Sequence, residues 1–453
     1  MCGINNYGHF FKKLLFILHI DFFMEYKLSK YLYILPKGNI ILIYSLLRKA
    51  IFAIKEDKYS LLQKDLSELK NKQPVFFSTM EKLGVIIPND FDEIDQIKML
   101  NKQVVFSNDA YRLTINPTLE CNFNCWYCYE EHPEGRMQKE TMNAIVNHIK
   151  LKIEDKSLRH LHLDWFGGEP LLYFDEVMYP LGRHIKEILD EKGISMSGTA
   201  TTNGYFINKE RISKFKDIGL TNFQITLDGD KETHDKIKFC KNKKGSFQTI
   251  INNINLLCEE FDAGADIAVR INYTEKTLEN INNIIDLFSE KAKRNITVLF
   301  QQVWQDSFKK NVCAEDNKKT FETEGIKIKR HNLNNFHVCY ADREQQVIVN
   351  YNGKIYKCTA RDFNEEYTLG ELLPSGEIQW NIPAISRRFG NYTFENKFCL
   401  KCSLLPACMG LCSQKAIELP KKIDKKYFRR MCLQDGVRKL IEQNLEEHYN
   451  TIQ

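Results

Sequence analysis

At 453 residues the chain exceeds what one hydrophobic core ordinarily supports, so two or three domains are expected. With 43% hydrophobic and 27% charged residues it has the make-up of a globular protein with a sizeable core. A net charge of only +5, with the lysines scattered, excludes the basic patch of a nucleic-acid binder. Seven of the fourteen cysteines fall in the last 115 residues at short, ordered spacings, which in a chain of this size points to bound metal in a reducing cytosol rather than to disulfides.

In chain order, Phe10 to Phe23 is an apolar run broken by Lys12, Lys13, His19 and Asp21, too short and interrupted to span a bilayer. No small-residue cleavage site follows it, so Met24 is read as the translation start of a cytoplasmic protein with no membrane partner. Residues 24–105 form a first module: a strand at Lys27–Leu35, a turn at Gly38, a partner strand at Ile40–Ser45, then helices at Leu46–Ile54, Leu61–Leu69 and Phe76–Leu83. Residues 106–330 alternate strand and helix. Strands are predicted at Tyr111–Asn116, His160–Phe166, Met196–Thr202, Asn222–Leu227, Ile267–Tyr273 and Ile296–Val303. Helices are predicted at Lys139–Ile153, Asp175–Glu191, Lys209–Ile218, Phe247–Phe261 and Leu278–Glu290. Six β/α units predict an α/β fold, a partial (β/α)6 TIM-like barrel whose open side admits a large substrate and whose chemistry sits at the C-terminal strand ends. Residues 331–453 form a third, cysteine-rich domain.

The first strand leads into E-C-N-F-N-C-W-Y-C-Y, with Cys121, Cys125 and Cys128 inside eight residues. Three thiolates leave one iron of a 4Fe–4S cluster open to an outside ligand; a zinc ion here would need a fourth ligand, for which His132 is near enough in sequence. The second strand ends in W-F-G-G-E-P, the third in T-A-T-T-N-G and the fourth in Q-I-T-L-D-G. Together these resemble the radical S-adenosylmethionine (radical SAM) family. The resemblance implies that Cys121, Cys125 and Cys128 hold the SAM-binding 4Fe–4S cluster and that Tyr127 lies near the adenine. It gives Gly167, Gly168 and Glu169 the methionine amino group, and Thr202, Asn203, Thr226 and Asp228 the ribose and carboxylate. Lys238 would meet the carboxylate where relatives carry arginine, losing the bidentate fork. Arg270 and Asn272 face inward by alternation, a structural salt bridge being the competing account of the arginine. Trp126, Tyr127 and Tyr129 also suit shielding of the cluster, and His234 suits a cap or core role.

Near the C-terminus, Cys339-x13-Gly353-x4-Cys358 is followed by Cys399-x2-Cys402-x5-Cys408-x3-Cys412 and then Cys432. This pattern resembles the SPASM domain with its twin auxiliary 4Fe–4S clusters, making three clusters in all. The resemblance assigns Cys399, Cys402, Cys408 and Cys432 to one auxiliary cluster and Cys339, Cys358 and Cys412 to the other, with Cys313 or a substrate thiolate as its fourth ligand. A four-cysteine zinc site over Cys399–Cys412 is the simpler alternative. Cys2, Cys240 and Cys258 match nothing. The first module resembles the small winged-helix modules with which peptide-modifying radical SAM enzymes hold a leader peptide; a mere packing extension is the alternative. The implied activity is reductive cleavage of SAM to a 5′-deoxyadenosyl radical that cross-links a ribosomally made precursor peptide through thioether or carbon–carbon bonds. A low-potential electron donor of flavodoxin or ferredoxin type serves it, and no residue is assigned as general base. An anaerobic sulfatase-maturating enzyme is the runner-up, weakened because Thr359 rather than an aspartate follows Cys358, the nearest acid being Asp362. A non-catalytic zinc-bound scaffold is the third possibility.

Overall fold

A computed structural model describes residues 25–155, 157–240, 244–307, 312–329, 338–390, 393–419, 424–432 and 434–452. Cys2, the apolar run Phe10–Phe23 and Met24 lie outside these. A short strand β1 (Tyr26–Leu28) precedes an antiparallel meander of β2 (Leu32–Lys37), β3 (Ile40–Ser45) and β4 (Ala50–Lys55). Helices α1 (Glu56–Leu62), α2 (Leu66–Lys72) and α3 (Pro74–Lys82) follow, then β5 (Ile86–Pro88), antiparallel to β1, and α4 (Glu93–Val105). Three expectations need correction. The strand predicted at Lys27–Leu35 is two, because the chain leaves β1 at Ser29 and Lys30, whose hydroxyl and amide both donate to the Glu93 carboxylate. The segment predicted as helix at Leu46–Ile54 is a turn followed by β4, whose A-I-F-A-I run pairs with β3 in a register that sets Phe52 opposite Ile43. The helix predicted at Leu61–Leu69 is interrupted where Asp65 caps α2, accepting from the amides of Ser67 and Glu68. α4 was not foreseen, although Asp92 caps it in the same way.

The centre of the chain builds a parallel sheet in sequence order. β6 (Ala110–Ile115), α5 (Lys139–Glu154), β7 (His160–Trp165), α6 (Tyr179–Glu191), β8 (Ser195–Thr202), α7 (Lys209–Asp217) and β9 (Leu220–Leu227) come first. α8 (Lys231–Ile237), α9 (Phe247–Phe261), β10 (Asp266–Tyr273), β11 (Ile296–Gln302) and the edge strand β12 (Lys327–Ile328) complete it. Every neighbouring pair from β6 to β12 is parallel. The helix predicted at Leu278–Glu290 is replaced by two short helical turns, Glu275–Leu278 and Ile281–Leu287, and a helix over Glu290–Asn295. The stretch E-N-I-N-N-I holds three asparagines, a residue of low helix propensity.

On the far side β6 pairs in parallel with β13 (Gln346–Val349), and β14 (Lys354–Tyr356), β15 (Gly370–Leu372) and β16 (Ile378–Trp380) continue antiparallel, giving one sheet of eleven strands. The chain ends in α10 (Ile382–Gly390), short helical turns carrying the cysteines, α11 (Ser413–Glu418) and α12 (Gln434–Ile452). α12 lies across β2–β4, sharing a core in which Leu42, Tyr44 and Ile97 meet Cys399, Leu405, Ile441 and Leu445. Lys30 Nζ donates to the Leu400 carbonyl at 2.8 Å, and Lys37 pairs with Glu446 at 3.0 Å, so the first module is fastened to the last one. Among the described residues no helix is long and apolar enough to cross a membrane.

Parallel sheets are usually covered on both faces and read as continuous apolar runs. In β6 and β7 the residues alternate instead: Tyr111, Leu113, Ile115, Leu161, Leu163 and Trp165 are buried in the main core, while Arg112, Thr114 and Asp164 turn to the opposite face. That second face is polar and lines a cavity.

Candidate functional site at the strand ends

The cavity, of about 860 Å³, runs along the polar face to the C-terminal strand ends. Cys121, Cys125 and Cys128 line it, together with Tyr127, Gly167, Gly168, Thr202, Asn203, Thr226, Lys238, Arg270 and Asn272. The three cysteines sit within electrostatic reach of one another; burial first, then Glu169 and the other two thiols, push the Cys121 thiol well up, and burial raises Cys125 to about 11. Iron binding would therefore displace thiol protons. His132 lines the same cavity, and its Nδ1–H donates to the Leu119 carbonyl at 2.8 Å, which leaves Nε2 as its acceptor nitrogen.

The loop is held from beneath. A Cβ on Gly168 would lie 2.2 Å from the Leu119 oxygen and 2.3 Å from that of Glu120, and one on Gly167 would lie 2.3 Å from the Thr118 oxygen. The glycine pair thus admits the backbone that leads into Cys121, a packing need the sequence had suggested for a ligand. Glu120 is clamped from outside by the Gly135 amide at 2.7 Å and the Tyr173 hydroxyl at 3.0 Å. Asn203 reaches the loop as well, its Nδ2 donating to Asn122 Oδ1 at 2.7 Å.

Glu169 and Asp228, expected among the cofactor contacts, are wholly buried and do not line the cavity. The Glu169 carboxylate accepts from Thr202 Oγ1 at 2.6 Å and from the amides of Asn203 and Leu171 at 2.8 and 3.0 Å, tying the end of β7 to that of β8. Burial raises its pKa and these donors oppose the shift. Asp228 accepts from the Tyr127 hydroxyl at 2.6 Å and from Asn272 Nδ2 at 3.2 Å, and pairs with the buried Lys238 ammonium at 3.4 Å. Lys238 also donates to Thr226 Oγ1 at 2.5 Å, and Arg270 Nε to Asn272 Oδ1 at 2.9 Å. Tyr127 is therefore the pin by which the cysteine loop engages β9 and β10.

Behind this network His234 fills the core role expected of it. Its Nδ1 accepts from the Asp228 amide at 3.3 Å and its Nε2–H donates to Ser246 Oγ at 3.1 Å, which fixes the neutral ring. His148, under β6, is likewise neutral, accepting from the Tyr111 hydroxyl at 2.6 Å and donating to the Gly376 carbonyl at 2.7 Å. Burial lowers both to about 4. The unfolded chain protonates near pH 6.5 and the folded one only near 4, so stability is lost as the pH falls from 6.5 toward 4. Each ring is expected to contribute a loss of about 2 kcal/mol between pH 7 and pH 5, partly offset by Glu130, whose carboxyl burial pushes up to about 8; proton NMR titration of the two rings is the check, and midpoints near the ordinary histidine value would overturn it.

The C-terminal cysteines fall into two further groups. Cys399 lies within electrostatic reach of Cys408, Cys402 and Cys432. Cys339 donates to Cys412, which holds Cys412 down at about 6 and Cys339 well up, and Cys358 feels Cys412. Cys313 is not brought to either group; it is exposed beside Tyr273. Cys258 is buried within α9, and Cys240 is half-buried against the main core. Among the described residues no three His, Cys, Asp or Glu side chains converge where a single metal ion could sit. A cubane cluster separates its ligands more widely than one ion does, so three thiolates around one cavity wall and two further groups of four and three are donor sets that fit such clusters.

Sequence reasoning missed the far wall of the cavity, where Tyr340, Thr359, Ala360, Arg361 and Lys415 stand beside Tyr129 and Glu130. The Tyr129 hydroxyl donates to the Thr359 carbonyl at 2.5 Å, joining the first cysteine loop to the turn after Cys358. Those residues come from separate parts of the chain and carry no shared spacing.

Residues 115–306 match the model of the Radical SAM superfamily. The chain is 28% identical over 199 residues to GTP 3',8-cyclase of Sulfurimonas denitrificans, covering 43% of this chain and 56% of that protein. It is 29% identical over 184 residues to the cysteine-type anaerobic sulfatase-maturating enzyme of Clostridium novyi, covering 38% and 46%. The chain thus spans about half the length of these curated relatives. The solved structure of native anSMEcpe with bound AdoMet superposes with a TM-score of 0.53 and 17% identity over 76% of this chain and 100% of that one, a likeness of fold. Three cysteines on a loop after the first strand, seated on a glycine pair that ends the second, lie inside the matched stretch, and the chain accordingly carries a radical SAM domain over residues 115–306.

Proposed function

We propose that the protein is a radical SAM peptide maturase with a SPASM-type C-terminal region, cross-linking side chains of a ribosomally made precursor. The observation that carries this reading is the shared cavity: the Cys121–Cys128 loop forms one wall, and residues flanking Cys358 and Cys412 form the opposite one. A substrate lying between them would meet a radical source on one side and an electron acceptor on the other. Cys121, Cys125 and Cys128 would hold the SAM-binding cluster; Cys399, Cys402, Cys408 and Cys432 one auxiliary cluster; Cys339, Cys358 and Cys412 the other. Once bound, SAM and its cluster supply hydrogen-atom abstraction from carbon, and the chain supplies binding, orientation and exclusion of water. Thr202, Thr226, Lys238, Arg270 and Asn272 present polar groups toward SAM, while Glu169 and Asp228 fix the strand ends from below. The β6–β11 strands would act as a partial barrel, and the β2–β4 meander with α1–α3 as a winged-helix-like grip on a leader peptide.

The runner-up, formylglycine formation, is favoured by the Clostridium novyi relative and the fold of anSMEcpe. Against it, Asp362 does not line the cavity; its Oδ1 accepts from the Phe363 amide at 2.9 Å and the Glu131 amide at 3.2 Å. Anaerobically reconstituted protein is expected to bind about twelve iron per chain. Co-expression with a precursor peptide encoded beside it should give a product lighter by two hydrogens per cross-link. A value near four iron would sink the three-cluster model, and an aldehyde trapped on a cysteine-bearing peptide would favour the runner-up.

A further inference from the structure

Beside the Cys339, Cys358 and Cys412 group lies a buried cation with donors to spare. Arg388, on α10, is 2% exposed, and its Nη1 donates to Gln414 Oε1 at 2.7 Å, two residues after Cys412. Its Nε and Nη2 are buried and have no hydrogen-bond partner. A guanidinium keeps its charge at any working pH, and leaving its Nε–H and both Nη2 hydrogens dry and unpaired is costly. The carboxylates of Asp342 and Glu418 feel the Arg388 charge, yet neither takes a hydrogen bond from Nε or Nη2, so those donors are left for an acceptor on the cysteine side. The Arg388 charge acts on Cys358, and buried Lys357 stands next in sequence to that cysteine. The Lys357 Nζ donates to the carbonyls of Arg343 and Gln346 at 2.6 and 2.7 Å, so it is engaged away from the cysteines. The charge of Arg361 also acts on Cys358, but its Nε and Nη2 are spent on a two-pronged pair with Glu418.

We propose that Arg388 is a positioning residue for the cluster held by Cys339, Cys358 and Cys412: its free N–H groups donate to the sulfur of that cluster, and its buried charge raises the reduction potential. The inference rests on the assignment of those three cysteines under the proposed function. Cluster potentials follow net charge, hydrogen bonds to sulfur and burial, and Arg388 acts through all three. A cluster so raised is suited to accept an electron rather than to deliver one.

The test is a redox titration followed by electron paramagnetic resonance on the full chain, reconstituted anaerobically, and on its Arg388→Gln and Arg388→Lys variants. Iron content should stay at about twelve per chain. One of the three midpoint potentials should fall in Arg388→Gln and fall less in Arg388→Lys, which keeps the charge and loses the fork. Full iron with all three potentials unchanged, or with all three moved alike, overturns the proposal. Should Arg388→Gln lose iron, Arg388→Lys decides: an unshifted potential overturns the proposal and a lowered one supports it. The underlying assignment fails separately, if Cys358→Ala keeps all of its iron.

Discussion

Alanine at Gly168 is expected to empty the first cysteine loop of iron and to abolish SAM cleavage while leaving the rest of the chain folded. The added methyl would sit 2.2 and 2.3 Å from the carbonyl oxygens of Leu119 and Glu120, far inside van der Waals contact, and neither is the end of a flexible side chain. Relief requires moving the backbone that enters Cys121, and with it the three thiols. Overpacking of this kind costs about 1–3 kcal/mol, which a chain of this size tolerates. The damage is therefore geometric. Iron should fall by about four per chain, consistent with loss of one cluster, and cleavage should drop to the level of a no-enzyme control with the circular dichroism unchanged. Gly264→Ala is the control, since nothing lies within 4 Å of its added carbon. A Gly168→Ala protein with full iron and normal cleavage would show that the loop does not need this close approach.

The same position shows how far the sequence could be read. The β/α alternation was legible because each strand carries its own signal, and the predicted ends of all six lie within two residues of those observed. In the first module A-I-F-A-I is too short to distinguish a buried helix from a strand, and pairing with β3 decides it. The cysteine spacings were legible because a cluster loop is local. What was not legible is which way a side chain turns once strands meet. The motifs around Glu169 and Asp228 gave no sign of the groups that hold their carboxylates, Thr202 and the Asn203 amide in one case and Tyr127 and Lys238 in the other, which come from other strands and loops. Arg388 carried no signal at all, because its meaning depends on Cys358 and Gln414 approaching it from distant segments.

Asp228→Ala is expected to destabilise the protein by about 3–5 kcal/mol, the range for removing one partner of a buried ion pair. The carboxylate is fully buried and satisfies three groups at once: the Tyr127 hydroxyl, Asn272 Nδ2 and the Lys238 ammonium. Its removal strands the charge on Lys238, itself 3% exposed, and unpins the cysteine loop at Tyr127. The stranded charge is the larger of the two losses, since among the described residues the buried ammonium keeps the Thr226 hydroxyl at 2.5 Å as its hydrogen-bond partner and only the more distant Glu169 as a counter-charge. Removing that charge as well separates the contributions. The double variant Asp228→Ala with Lys238→Met should recover much of the stability, because an apolar chain of similar length needs no counter-charge, yet SAM cleavage should stay impaired, since both the Tyr127 pin and a SAM-facing ammonium are gone. Denaturant midpoints at constant slope measure the first effect and 5′-deoxyadenosine yield the second. If single and double variants are equally destabilised, Lys238 is not held by Asp228. If the double variant also regains full cleavage, the Tyr127 pin plays no part in placing the loop.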